Sequence, residues 1–282
     1  VLVETSWFGL FACDPDAYKT FKEFFDPVIK DYHGVKEINH PRCDFGNFDD
    51  IGLRDLDPTG KYVETTRVRI ARSVKGYSFN PLITLKERQE IEVKMNIVFD
   101  QLPIEIKGEY YPLESLSTSQ IQELVDQHYL FNLNNKIYLL FIDLTENWKQ
   151  TGDTGIGQKQ GAFITILIKQ EKGNVEFETI QKYGFITASP DNIGTTLRAS
   201  VHIRIPNMHA KNKNGADYVI DFCNKYNLQA RGSRGDPYPP GDTEVYDISN
   251  KHRMGLTEIQ AVREMQKGIE AIINHEKLKR DA

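Results

Sequence analysis

From Thr257 onward, apolar residues return every three or four positions: Ile259, Val262, Met265, Ile269, Ile272 and Ile273. That spacing lines them up on one stripe of a helix. A long aliphatic stripe needs a broad apolar surface to lie on, and a sheet supplies one. Thr257-Glu-Ile-Gln260 reads as the capping box that opens the helix, and the basic run Lys277–Arg280 suits its C-terminal end. The chain is thereby committed to a helix-on-sheet domain.

The strands for that sheet are legible upstream. Tyr62–Ile70 (YVETTRVRI) alternates and is β-branched, and Lys136–Asp143, Gly161–Lys169, Asn174–Thr179 and Thr195–Ile205 also read as strands. Further helices are expected from the capping box Thr84-Leu-Lys-Glu87 to about Asp100, from Ser117-Thr-Ser-Gln120 to about Gln127, and over 215–226. Nearer the start, Tyr18, Phe21, Phe24, Phe25, Val28 and Ile29 predict an amphipathic helix within 14–33, opened at Asp14 or Asp16 and divided or ended by Pro27. Strands and helices do not alternate as regular βαβ units, which favours an α+β fold: an antiparallel sheet flanked by helices. Residues 34–60 are rich in Gly, Asp, Asn and Pro and read as a connection. The expected organisation is an N-terminal helical part over 1–45, a linker over 46–60 and a main domain over 61–282.

Composition narrows the function classes. A formal net charge of -5 over 282 residues gives no basic footprint for nucleic acid. The longest apolar run, Ile137–Ile142, is too short to span a bilayer. No apolar leader stands at the N-terminus, so no secretory signal is expected, and sequence upstream of Val1 is left open. Cys13, Cys43 and Cys223 form an odd, sparse set, which reads as reduced thiols in an intracellular, reducing compartment, with a reactive thiol as the alternative.

The chemistry is expected where arginines sit on strands. Arg67 and Arg69 alternate on Tyr62–Ile70 and so share a face. Arg198 lies on a second predicted strand, and Arg231 and Arg234 stand in RGSRG between a strand and a loop. Guanidinium forks bind phosphate oxygens bidentately and stay charged when partly desolvated. Converging arginines would make a polyphosphate cradle; structural ion pairs are the alternative. Asn192-Ile-Gly194 lets backbone approach a ligand, whereas Gly152–Gly161 (GDTGIGQKQG) matches no phosphate-loop spacing and reads as a surface turn.

Several segments now carry a resemblance: Ser189–Pro206 (SPDNIGTTLRASVHIRIP), Val245–Glu258 (VYDISNKHRMGLTE), Tyr62–Ser73 (YVETTRVRIARS), Phe25–Gly34 (FDPVIKDYHG), Tyr110–Leu113, Asp126–His128, Gly184–Thr187 and Gln260–Gln266. In this order they resemble the phosphagen (ATP:guanido) kinase family, and most closely its arginine kinases. The resemblance implies a glutamine-synthetase/guanido-kinase-like catalytic domain and a cut-down N-terminal helical domain. It also implies transfer of the γ-phosphoryl of ATP, carried with Mg²⁺, to a guanidino nitrogen, a reaction run mostly by positioning and charge stabilisation. By this likeness Arg67, Arg69, Arg198 and Arg231 hold nucleotide phosphates, and His128 and His202 lie on the adenosine side. Asp236 takes the place of a guanidinium-binding glutamate. Ser6, Gly9 and Phe11 belong to the loop that holds the guanidino substrate.

Departures from the family pattern are as informative. Its reactive cysteine is Ser189 here, and a hydroxyl offers no thiolate at neutral pH. Aligned without a gap, Ile168–Asn174 (IKQEKGN) puts Gln170 at a catalytic glutamate and Asn174 at a phosphate arginine; a one-residue shift brings Glu171 to the carboxylate instead. No arginine occurs between Trp148 and Arg198, so a second family arginine is absent too, with Lys149, Lys159 or Lys172 as partial substitutes. A helix of the family has no counterpart in Val175–Tyr183, and three prolines stiffen Asp236–Thr243 (DPYPPGDT). Each lost transition-state donor costs about 10²–10³ in rate. The expected function is therefore a catalytically impaired pseudoenzyme, a structural or scaffolding subunit with protein partners in a larger assembly. The alternatives are an active, divergent kinase making phosphoarginine from ATP and L-arginine, and a nucleotide-binding regulator without transfer. Compartment is open between cytoplasm, cilium or axoneme, and mitochondrion.

Overall fold

A computed structural model describes residues 10–47, 52–101, 104, 115–126, 175–210, 215–232 and 244–280. In chain order its elements are α1 (Ala17–Thr20), α2 (Lys22–His33), β1 (Val63–Ile70), α3 (Leu85–Asp100), α4 (Thr118–Asp126), β2 (Thr179–Ile180) and β3 (Gly184–Phe185). There follow β4 (Leu197–Arg204), α5 (Pro206–Ala210), α6 (Gly215–Asn224), β5 (Leu228–Gly232), β6 (Val245–Asn250) and α7 (Glu258–Arg280). The described residues fall into two compact units: one draws on 1–28, 72–180 and 185–192, the other on 29–71, 181–184 and 193–282.

The second unit holds a four-stranded antiparallel sheet of order β1-β4-β6-β5. One face carries Leu197, Ala199, Val201, Ile203, Leu228, Ala230, Tyr246 and Ile248. On it lies the predicted stripe of α7, with Ile259, Met265, Ile269, Ile272 and Ile273 buried and Val262 partly buried. Each such side chain withdrawn from water contributes roughly 1.5–3 kcal/mol. Gly268 lets the helix come close, since a Cβ there would stand 2.3 Å from Leu228 Cδ1. The helix start is tied down on the linker side: Asp44 N–H donates to Glu258 Oε2 at 2.8 Å, and Ile259 N–H donates to the Asp44 carbonyl at 3.0 Å.

In the first unit the Thr84–Glu87 capping box forms as read, with the Thr84 N–H on Glu87 Oε2 at 2.7 Å and α3 following it. Ser117 and Gln120 cap α4 in the same way, the Ser117 N–H donating to Gln120 Oε1 at 2.9 Å.

Three expectations need correction. Pro27 lies inside α2, and the break falls earlier, at Phe21 between α1 and α2. Proline in a helix removes one N–H donor; the buried Tyr18–Phe25 contact, ring centroids 4.6 Å apart, holds the two pieces through the break. The strand expected over 174–179 shrinks to a bridge between Phe177 and Val74 and the two residues of β2, because it finds only the short segment around Val74 to pair with. The helix expected over 215–226 stops at Asn224, and Asn227 turns the chain into β5 with φ of 57°. Strand β6 was not expected from the sequence, since its alternation runs only over Tyr246–Ser249; all six of its residues are buried, polar ones included. The expected strands over 136–143 and 161–169 lie outside the described residues.

Candidate functional site

The face of the sheet opposite α7 is polar. Directly paired residues share a side of the pleat, so the register assigns that face. Arg67 stands opposite Ser200, Arg69 opposite Arg198, and Thr65 opposite His202. Ser200 faces Ser249 and His202 faces Asp247 across β4 and β6, while Gln229 and Arg231 of β5 complete the rows. Arg67, Arg69, Arg198, Arg231 and His202 therefore belong to one face of one sheet.

Asp247 organises it. Its side chain is 1 % exposed, and its Oδ2 accepts from Arg198 Nη2 at 2.9 Å and from Arg67 Nη2 at 3.1 Å. Arg67 Nη2 also lies 2.6 Å from His202 Nε2, and because a guanidinium only donates, that ring nitrogen accepts. Arg198 Nε donates to Ser249 Oγ at 3.3 Å, and Arg231 Nη2 donates to Gln229 Oε1 at 3.0 Å. Burial alone would push the Asp247 carboxyl up, but the Arg198 and Arg67 guanidinium groups outweigh it and hold it below the ordinary 3.8. Burial, with Arg198 close by, pulls Arg67 below its ordinary 12.5 against the opposing pull of Asp247; it stays charged. Arg67 Nε is buried without a hydrogen-bond partner among the described residues. The arrangement is a cationic surface with one internal counter-charge, suited chemically to a polyanion such as a chain of phosphates.

The other expected residues belong to the first unit or lie outside the described residues. Ser189 lies in the first unit, where its hydroxyl hydrogen-bonds the Asp191 carboxylate and its N–H donates to Thr187 Oγ1 at 3.3 Å. Phe11, in the same unit, lines an apolar cleft of about 280 Å³ with Leu10, Cys13, Phe21 and Phe24. Glu171, Asp236, His128, Ser6 and Gly9 lie outside the described residues, as do Gln170 and Asn174. Asp247 and Ser249 were missed by the sequence reading. The signal was an acidic residue, Asp247, at the same alternate phase as Ser249, inside a segment not recognised as a strand. Among the described residues, no group of three or more His, Cys, Asp or Glu could hold a metal ion, and no helix is long and apolar enough to cross a membrane.

Comparison with known proteins bears on this geometry. The C-terminal catalytic domain of the ATP:guanido phosphotransferases matches residues 160–279, and the N-terminal domain of the same family matches residues 1–30. An arginine kinase of Turbo cornutus is 36% identical over 295 residues, covering 95% of this chain and 81% of the relative. One from Penaeus monodon is 38% identical over 299 residues, with the same coverage. Among solved structures, the duplicated taurocyamine kinase from Schistosoma mansoni with bound transition state analog components aligns with a TM-score of 0.78 at 34% identity. That alignment takes in 94% of this chain but 40% of the duplicated protein. A lombricine kinase aligns with a TM-score of 0.77 at 26% identity, over 96% of this chain and 81% of that one.

Proposed function

Because the chain belongs to the ATP:guanido phosphotransferase family and is arginine-kinase-like, we propose that it is a catalytically impaired member serving as a structural subunit of a larger assembly. The observation that carries this reading is Ser189. It stands where the family places a thiolate, and its hydroxyl is already committed to Asp191. The absence of arginine from 149–197 supports it further, because two phosphate donors are missing from a reaction that depends on such donors. Losses of about 10²–10³ each, even if not additive, put turnover far below the ordinary kinase range. The test is phosphoarginine formation from MgATP and L-arginine; turnover at ordinary kinase rates overturns the reading. The assembly part is tested on the protein taken from its native source, where migration as a free monomer would count against it.

A second reading, favoured by the arginine face, is that nucleotide still binds there. The fit is chemical: Arg67, Arg69, Arg198 and Arg231 share one face, and the buried Nε of Arg67 is a donor without an acceptor among the described residues. These arginines would take the phosphate oxygens. Mg²⁺ binds largely through those same oxygens and asks for one or two carboxylates at most, so it needs no cage of protein ligands. Calorimetry with millimolar MgADP and MgATP decides this part, and the absence of heat removes it.

A further inference from the structure

We infer that Asp247 is a positioning residue for the phosphate-binding arginines: by taking Nη2 of both Arg67 and Arg198 on one carboxylate oxygen, it sets the spacing and aim of the two guanidinium groups. The inference rests on the reading that the arginine face binds nucleotide phosphates.

Three observations carry it. First, Arg67 comes from β1 and Arg198 from β4, and they converge on the same Oδ2 atom, at 3.1 and 2.9 Å. Two like charges on adjacent strands repel, so without the Asp247 carboxylate between them Arg67 and Arg198 would splay. Second, the anchor itself is fixed. Asp247 is on the fully buried β6, and its side chain is 1 % exposed. Third, each arginine has a second hold at a different atom or angle: His202 Nε2 on Arg67, and Ser249 Oγ on Arg198. Ser249 and Asp247 lie two residues apart on one face of the same strand, so β6 grips Arg198 at both Nε and Nη2. A ligand meeting arginines already held this way loses less freedom on binding than one that must order them.

A charge argument makes the opposite prediction, so the two can be separated. If Asp247 acted only as a negative charge beneath the cradle, neutralising it would tighten the hold on a polyanion. If it positions the arginines, neutralising it loosens that hold. The measurement is calorimetric titration of the full chain with MgADP and with inorganic tripolyphosphate, on wild type, Asp247→Asn and Ser249→Ala. Asp247→Asn is expected to weaken both ligands about tenfold or more, the scale of a hydrogen bond to a charged group. Ser249→Ala, which leaves the charge unchanged, is expected to weaken them about threefold or more. In an Arg198→Lys background the effect of Asp247→Asn should shrink, whereas a general structural effect would add in full. Equal or tighter binding by Asp247→Asn overturns the inference. If that variant fails to fold, unchanged binding by Ser249→Ala overturns it instead. Wild-type protein that binds neither ligand removes the underlying phosphate reading, an outcome distinct from a variant without effect.

Discussion

Asp247 and His202 stand opposite each other across β6 and β4, and both reach Nη2 of Arg67, Asp247 through Oδ2 at 3.1 Å and His202 through Nε2 at 2.6 Å. The carboxyl of Asp247 titrates lower in the folded chain than in the unfolded one. Its contribution to stability is therefore complete above about 3.8 and is lost as pH falls through the folded value. Denaturant midpoints measured from neutral pH down to the acid limit should show Asp247→Asn with a shallower fall below 3.8 than wild type. Parallel curves would show that this carboxyl is not held low.

On the impaired reading proposed above, a thiol at position 189 does not by itself give kinase turnover. Ser189→Cys supplies the thiol that the family resemblance places there but leaves 149–197 without arginine. Phosphoarginine formation by the variant is expected to stay at least about 10² below ordinary kinase turnover, the cost of one missing phosphate donor. A coupled assay giving full turnover in the variant but not in wild type would show that the residue at position 189 alone limits the reaction.

Gly194 has φ of 85°, and a Cβ there would stand 2.1 Å from the Arg253 carbonyl oxygen. Gly194→Ala combines a left-handed backbone cost with a backbone overlap that nothing flexible can relieve. A loss of at least about 2 kcal/mol is expected from these two terms together. Chemical denaturation measures it, and a loss within experimental error would show that the Gly194 turn can rearrange.

Glu276 of α7 is a buried carboxylate that accepts the backbone N–H groups of Asn207 at 2.9 Å and Met208 at 2.8 Å, at the start of α5. Glu276→Ala leaves two donors without their acceptor and should cost roughly 2–4 kcal/mol. Glu276→Gln keeps one acceptor and should cost less. Equal losses would mean that the volume of the side chain, not its hydrogen bonds, matters there.

Thiol titration should proceed in two classes. Cys13 and Cys43 are exposed, whereas Cys223 is buried and its thiol is pushed up to about 12. Ellman's reagent at neutral pH is expected to count two thiols in the folded protein and the third only in denaturant. Three fast thiols would place Cys223 outside the core.

What could be read in advance followed from local rules. The capping box at Thr84 and Glu87 uses residues three apart, so three letters of sequence suffice to see it. The stripe from Ile259 to Ile273 repeats a pattern that only a helix on an apolar surface satisfies. Arg67 and Arg69 announced themselves as charged residues at alternate strand positions, and Arg198 and Arg231 followed from their segments' resemblance to the family. Strand β6 did not, because its alternation runs only over Tyr246–Ser249, and its burial on both faces comes from tertiary packing that so short a pattern does not announce. Pro27 misled for a related reason, since its local preference is to end a helix and tertiary packing overrode it.

The sequence by itself determined the class of fold, the helix boundaries set by caps, the arginines fit for phosphate, and the departures at Ser189 and across 149–197. These depend on residue type and on spacing within a few positions. Tertiary structure alone decided that Arg67, Arg69, Arg198 and Arg231 share one face, and that Asp247 ties Arg67 to Arg198. Arg67 and Asp247 are 180 residues apart in the chain. Only the pairing of β1 with β4 and of β4 with β6 brings them within hydrogen-bonding distance, and no local pattern encodes a register between strands so far apart.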